Sequence, residues 1–253
     1  MISYLRKAFP FLRWSVIRLA LSNKRLEREW QVGDGREQAA LQWVLQHARK
    51  GDVDSVIATI DEFAYKHSFL INVGDAKGGL LDTAILKQQP KLALELGAYV
   101  GYSALRTGRV LPKGSRLISI EFNEANAAIA RQMIEYAGLT DRVTVVSGFI
   151  GDGGKTIERL EREFGIGPGK IDFVFVDHAK DAYLPDLKTL LALGWLSKGA
   201  VVVADNVKFP GAPDYHAYMR EQEGRNWRSI EHKTHAEYQT LIKDIVLEST
   251  YLG

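Results

Sequence analysis

From residue 36 onward, apolar positions recur at helical spacing. Ala40, Trp43 and Val44, with His47, mark one helix. After a break at Gly51-Asp52, the positions Val56, Ile57, Ile60, Phe63 and Ala64 mark a second. A third is expected from about residue 77 to 88, stopping before Pro90. The rhythm then changes. Short apolar, β-branched runs at 92–96, 115–120, 143–146, 171–177 and 200–205 alternate with helical patterns, for example at 123–137 and 184–196. Such alternation predicts a parallel sheet with both faces covered. The last stretch, from about Trp227, loses this rhythm, and residues 238–247 read as a closing antiparallel strand. The expected fold class is α/β: a Rossmann-like, doubly wound, mostly parallel sheet with helices on both faces, an antiparallel C-terminal strand and extra N-terminal helices.

Composition narrows this without changing it. The chain has 253 residues, 46% hydrophobic and 25% charged. That is ordinary for a globular protein with one sizeable domain. The formal net charge is only +2, too small to imply nucleic acid as a partner. With no cysteine, a disulfide framework, thiolate metal ligands and a Cys nucleophile are excluded.

Basic residues crowd the N-terminus: Arg6, Lys7, Arg13, Arg18, Lys24, Arg25 and Arg28, interleaved with Phe11, Leu12, Trp14, Val16, Ile17, Leu19 and Leu21. Arg13 and Arg18 interrupt any apolar run, whereas a spanning helix needs about 20 apolar residues. Residues 1–35 therefore read as a basic amphipathic helical extension, and 36–253 as one domain. The extension can pack on its own domain, meet a second copy, or lie on an anionic membrane surface. The expected location is the cytoplasm, with membrane association open to the N-terminal helix.

In open parallel sheets, ligands bind beyond the carboxyl ends of the strands. The first strand ends in Gly97-Ala98-Tyr99-Val100-Gly101, spaced G-x-x-x-G. The dinucleotide fingerprint G-x-G-x-x-G is absent, which argues against a pyrophosphate cradle and a dehydrogenase. The second strand ends in Glu121, a carboxylate placed to accept from ribose hydroxyls. These features fit a nucleoside without pyrophosphate, and S-adenosylmethionine (SAM) is the common ligand of that kind. The fourth strand ends in Asp177 and the fifth in Asp205-Asn206, an oxygen-only set that suits Mg²⁺ better than Zn²⁺. Each Asp alone could equally cap a turn. Lys180 follows Asp177 on the same loop, and nearby cations favour proton transfer by a lysine.

From about Glu37 to the C-terminus, the sequence resembles the catechol O-methyltransferase family. The matching stretches are Asn72-Val73-Gly74-Asp75-Ala76-Lys77-Gly78, Leu94-Glu95-Leu96-Gly97-Ala98-Tyr99, Gly101-Tyr102-Ser103, Asp177-His178, Lys180-Asp181, Tyr183-Leu184-Pro185-Asp186, Ala204-Asp205-Asn206-Val207, Pro210-Gly211 and Glu237-Tyr238. The resemblance implies SAM and Mg²⁺ as cofactors and a catechol-type small molecule as acceptor. It implies Asp177, Asp205 and Asn206 as metal ligands, Lys180 as base and Glu237 as the carboxylate holding the second hydroxyl. It also implies cofactor contacts at Val73, Glu95, Gly97, Tyr99, Tyr102, Ser103, Glu121, Phe122, Ile150, Gly151, Asp177 and His178. The acceptor pocket would be walled by Phe69, Ile71, Ala179 and Pro210. Ala179 and Phe69 stand where the familiar pattern has tryptophan, Ile71 where it has methionine, and Ile150-Gly151 where it has Ser-Gln. Acceptor choice is therefore less fixed than reaction type. Two alternatives remain: methylation of another vicinal-diol aromatic, and a methyltransferase-like binding or chaperone protein without turnover.

Overall fold

A computed structural model describes residues 14–21 and 31–253. In chain order they form α1 (Trp14–Leu21), α2 (Arg36–His47), α3 (Val53–Lys66), α4 (Gly74–Gln88), β1 (Leu92–Leu96), α5 (Tyr102–Val110), β2 (Arg116–Glu121) and α6 (Glu124–Tyr136). There follow β3 (Val143–Ser147), α7 (Lys155–Phe164), β4 (Ile171–Val176), α8 (Tyr183–Ala192), β5 (Leu196–Ala204), α9 (Pro213–Glu221), β6 (Trp227–His235) and β7 (Lys243–Tyr251). The seven strands make one sheet in the order β3-β2-β1-β4-β5-β7-β6. The strands β1 to β5 pair in parallel, and β7 runs antiparallel between β5 and β6. The order reverses at β1, which opens a crevice beyond its carboxyl end.

The alternation along each strand divides the core in two. Phe173 and Phe175 of β4 pack under the helices α2 to α6, whereas Val174 and Val176 pack under α7 to α9. Each such side chain contributes roughly 1.5–3 kcal/mol when fully buried. Polar caps fix where the helices begin. Asn123 Oδ1 accepts from Ala125 N and Asn126 N at 2.9 and 3.1 Å, and Asp52 Oδ1 accepts from Ser55 N at 2.9 Å. A cap of this kind is worth about 1 kcal/mol.

The elements differ from expectation in three places. Helix α4 begins at Gly74, so Lys77 lies within its first turn and faces the interior. Helix α8 ends at Ala192, and β5 starts early at Leu196 because Gly194, at φ 64°, turns the chain. The expected closing antiparallel strand is present as β7 but runs over Lys243–Tyr251; it is preceded by a further strand, β6, and Tyr238 lies in the loop between them at φ 51°. Edge strand β6 escaped notice because it interleaves Arg228, Glu231, His232 and Lys233 among few apolar residues. Gln239 closes the loop, with its Oε1 accepting from Leu241 N and Ile242 N, both at 2.7 Å.

Of the basic N-terminal residues only Arg18 is described; Arg6, Lys7, Arg13, Lys24, Arg25 and Arg28 lie outside the described residues. Helix α1 meets the domain through Ser15. Its backbone oxygen accepts from Arg36 Nη2 at 2.8 Å, and its Oγ accepts from Phe69 N at 3.2 Å. Among the described residues, no helix is long and apolar enough to cross a membrane.

Candidate active site

The crevice beside β1 is built by close backbone approach. Gly97 has φ 99°, and a Cβ there would lie 2.4 Å from the Asp177 carbonyl oxygen. Only glycine lets the loop after β1 come so near the end of β4. Glu121, at the end of β2, braces this loop. Its Oε2 accepts from Ala98 N at 3.1 Å and Tyr99 N at 2.7 Å, and its Oε1 accepts from Asn123 N at 2.9 Å. Burial pushes the Glu121 carboxyl up, against the pull of those amides.

Glu95 is fully buried in β1. Ser119 Oγ donates to its Oε2, while its Oε1 has no protein partner. Burial pushes this carboxyl up to about 7. A buried, unpartnered carboxylate oxygen is costly, by about 1–3 kcal/mol or more. A cationic donor such as the amino group of SAM suits it. Ser103 sits buried beside it at the start of α5. Val73 is buried immediately before α4.

Two expected contacts have their phenols committed elsewhere. The Tyr99 hydroxyl donates to Glu37 Oε1 at 2.9 Å, and Tyr102 is wholly buried with its hydroxyl accepting from Arg106 Nη1 at 3.1 Å. At the end of β3, Ile150 is buried and Gly151 exposed. Nearby, Phe122 and Phe149 form an exposed edge-to-face pair with centroids 5.4 Å apart. His178 Nε2 is 2.9 Å from Asp186 Oδ2, and its ring stacks on Tyr183.

The acidic centre lies at the ends of β4 and β5. Lys180 Nζ donates to Asp177 Oδ1 at 3.0 Å and to the Tyr183 hydroxyl at 2.5 Å. That hydroxyl donates in turn to the Asp205 carbonyl oxygen at 3.1 Å. Asn206 has φ 54°, a left-handed conformation that asparagine tolerates. Its Nδ2 donates to Glu237 Oε1 at 2.9 Å and Asp244 Oδ2 at 3.0 Å. Burial pushes the carboxyls of both Asp177 and Asp205 up, while the lysines pull them down.

Sequence reasoning assigned no role to Lys77, Tyr183 or Asp244. Lys77 Nζ pairs with Asp205 Oδ1 at 2.8 Å, with Asp244 Oδ2 at 3.2 Å and with Glu237 Oε1. Carboxylate oxygens of Asp205, Glu237 and Asp244 lie within 4.8 Å of one another. That triad is therefore already served by an ammonium. Lys77 was detectable, since it shares a helical face with Leu81, Ala84 and Ile85; Asp244 shares its strand parity with buried Val246.

The residues present fit a divalent cation on the Asp177 side. Asp205 Oδ2 is buried without a partner. The Asn206 nitrogen is committed to two carboxylates, which leaves its Oδ1 as the ligating atom. Four carboxylates, Asp177, Asp205, Glu237 and Asp244, face two lysines, Lys77 and Lys180. The formal excess of two negative charges matches one such ion, and an all-oxygen donor set suits Mg²⁺.

The four expected pocket residues differ in exposure and surroundings. Phe69 lies edge-on to Tyr238 with centroids 6.1 Å apart, and Ile71 is partly buried just before α4. Ala179 is partly buried between His178 and Lys180, and Pro210 is exposed in the turn Val207–Gly211. A cleft of ≈ 400 Å³ runs from Lys180 past Leu184 and Pro185 to Pro213 and Tyr215.

The chain matches the O-methyltransferase family model over residues 48–226. It is 56% identical over 235 residues to a probable O-methyltransferase of Mycobacterium tuberculosis, covering 93% of this chain and 100% of that one. It is 46% identical to catechol O-methyltransferase B of Danio rerio, covering 86% of this chain and 80% of that protein. Among solved structures it is similar to an O-methyltransferase from Streptomyces achromogenes in complex with SAM. The TM-score is 0.63 at 23% identity, covering 85% of this chain and 96% of that one, a likeness of fold.

Proposed function

Because the chain belongs to the O-methyltransferase family, we propose that it transfers a methyl group from SAM to one hydroxyl of a catechol-type small molecule with the aid of Mg²⁺. The observation that carries this reading is the meeting of Asp177, Asp205, Asn206, Lys180 and Glu237 at one end of the sheet. A scaffold without turnover has no need of that set. The name of the Danio rerio relative supports a catechol as acceptor.

SAM supplies the electrophilic methyl group when bound. Glu95 Oε1, Glu121 and the Gly97 loop are the groups that would hold it. Mg²⁺ lowers the pKa of hydroxyls that contact it, and Asp177, Asp205 and Asn206 would hold it. The remaining work falls to the chain's own side chains. Lys180, a cation at rest, first releases a proton to solvent, and its neutral Nζ then takes the proton of the hydroxyl to be methylated. Asp177 Oδ1 and the Tyr183 hydroxyl fix that amine in place. Glu237 accepts from the second hydroxyl, so that one oxygen is presented to the methyl carbon. Positioning of this kind can lower a barrier by about 7 kcal/mol or more. Phe69, Ile71 and Pro210 border the ring and exclude water.

The test is methyl transfer from labelled SAM to plain catechol, with Mg²⁺ and with excess chelator. Turnover that vanishes with chelator is expected. Undiminished turnover in chelator overturns the metal's role. Binding of S-adenosylhomocysteine without turnover on any catechol overturns the acceptor class.

A further inference from the structure

We propose that Lys77 is a positioning residue: a built-in cation that selects which oxygens of Glu237 and Asp205 face the reacting centre and that tempers the metal's affinity. This rests on the roles given to Glu237 and Asp205 above.

An ammonium has three donors and no acceptor. Lys77 donates to Glu237 in the hairpin loop and to Asp244 in β7, and forms an ion pair at 2.8 Å with Asp205 after β5, so it meets three carboxylates from three parts of the chain. Its side chain is 1% exposed, so none of its donors is shared with bulk water. Burial alone would disfavour its charge, but the three carboxylates outweigh it and hold the ammonium protonated.

The pairing is selective by atom. Glu237 Oε1 takes both Lys77 Nζ and Asn206 Nδ2, which frees Oε2 for an acceptor hydroxyl. Asp205 Oδ1 takes Lys77 Nζ and Asn206 N, the latter at 2.6 Å, which leaves the buried Oδ2 for a cation. One ammonium therefore orients both carboxylates at once. Without it, the three clustered carboxylates would repel one another and the loop bearing Glu237 would keep only its tie to Asn206.

The same positive charge opposes a nearby divalent ion. Removing it should tighten metal binding, whereas simple damage to the site would weaken it. The two explanations thus differ in sign.

The experiment compares wild type, Lys77→Met, and Lys77→Met with Asp244→Asn, which restores charge balance where the single variant does not fold. Mn²⁺ affinity is titrated by electron paramagnetic resonance with S-adenosylhomocysteine present. Products from protocatechuate, whose two hydroxyls are inequivalent, are resolved as two monomethyl isomers. In Lys77→Met the Mn²⁺ Kd should fall by about tenfold or more, as the loss of a nearby like charge predicts, whereas in the double variant, which loses a cation and an anion together, it should stay within about threefold of wild type. The isomer ratio should move toward unity and KM should rise more than kcat falls. S-adenosylhomocysteine affinity should hold within about twofold, since none of these groups faces Glu95 or Glu121. Weaker Mn²⁺ binding, or an unchanged isomer ratio, overturns the proposal. If wild type fails to methylate protocatechuate at all, the acceptor reading fails, and the direction of the Mn²⁺ shift still decides the role of Lys77.

Discussion

Asn206 Nδ2 donates to Glu237 Oε1 at 2.9 Å, tying the residue after β5 to the loop between β6 and β7. A neutral donor here separates two acidic groups, since the same nitrogen serves Asp244. Asn206→Asp keeps the shape and tolerates the left-handed φ of 54°. It replaces two donors with acceptors. Glu237 and Asp244 would each lose a partner, at about 1–3 kcal/mol per buried group. A lower Tm and a raised acceptor KM are expected, read by thermal unfolding and steady-state kinetics. An unchanged Tm would show that Lys77 alone holds the loop.

Lys180 is fixed by Asp177 on one side and Tyr183 on the other. As general base its removal should cost about 10²–10⁴-fold in kcat. Lys180→Ala should therefore show a large kcat defect with little change in cofactor affinity. A near-normal rate near neutral pH would remove Lys180 from proton transfer.

Asp177→Ala separates the metal from the cofactor. Turnover dependent on Mg²⁺ should be lost, because the change removes one of two carboxylates on the metal side. The Gly97 loop meets the backbone of Asp177 through its carbonyl oxygen, and Glu121 braces the loop independently. Cofactor affinity by calorimetry should thus stay within about tenfold. Surviving Mg²⁺-dependent activity would mean that the ion is held elsewhere.

The parallel half of the fold was legible because β1, β2 and β4 are buried on both faces and read as mostly apolar runs. The hairpin was not, since β6 lies at an edge and alternates irregularly between polar and apolar. The individual residues of the centre were visible as strand-end carboxylates. Their connection was not, because Lys77 comes from α4, far away in sequence, and a lysine on an apolar helical face reads as an exception until its partners are seen. Tyr183 falls in one of the stretches that carry the family resemblance, while its function as a strut between Lys180 and Asp205 depends on the β4–β5 register. The basic pattern at the N-terminus was plain in sequence and falls mostly outside the described residues.

Ala179 precedes Lys180, the proposed base, and is partly buried. A small residue there leaves room for ring substituents. Ala179→Trp should lower activity on bulky catechols by about tenfold relative to plain catechol, the scale of a lost or filled apolar contact. Specific activities on a small and a bulky acceptor, compared between wild type and variant, measure this. Equal ratios would place the substituent on another side of the ring.

Asp61 offers a test of stability against pH away from the metal. Tyr238 donates to its Oδ1 at 3.1 Å, and Tyr102 and Arg106 stand beside it, with Asp75 as a like charge. Burial outweighs these partners and raises its carboxyl to about 6. A carboxyl raised in the folded state binds more protons folded than unfolded between its two pKa values. Its contribution is therefore complete below about pH 4 and is lost as pH rises through about 6. Asp61→Asn keeps an acceptor for Tyr238 and removes the charge. At pH 7 the variant should be more stable by about 2 kcal/mol, allowing for partial exposure, and near pH 4 the difference should vanish. Denaturant unfolding of both proteins at the two pH values checks this. A variant less stable than wild type at pH 7 would mean that the Arg106 guanidinium keeps Asp61 ionised and that the Tyr238 loop depends on that charge.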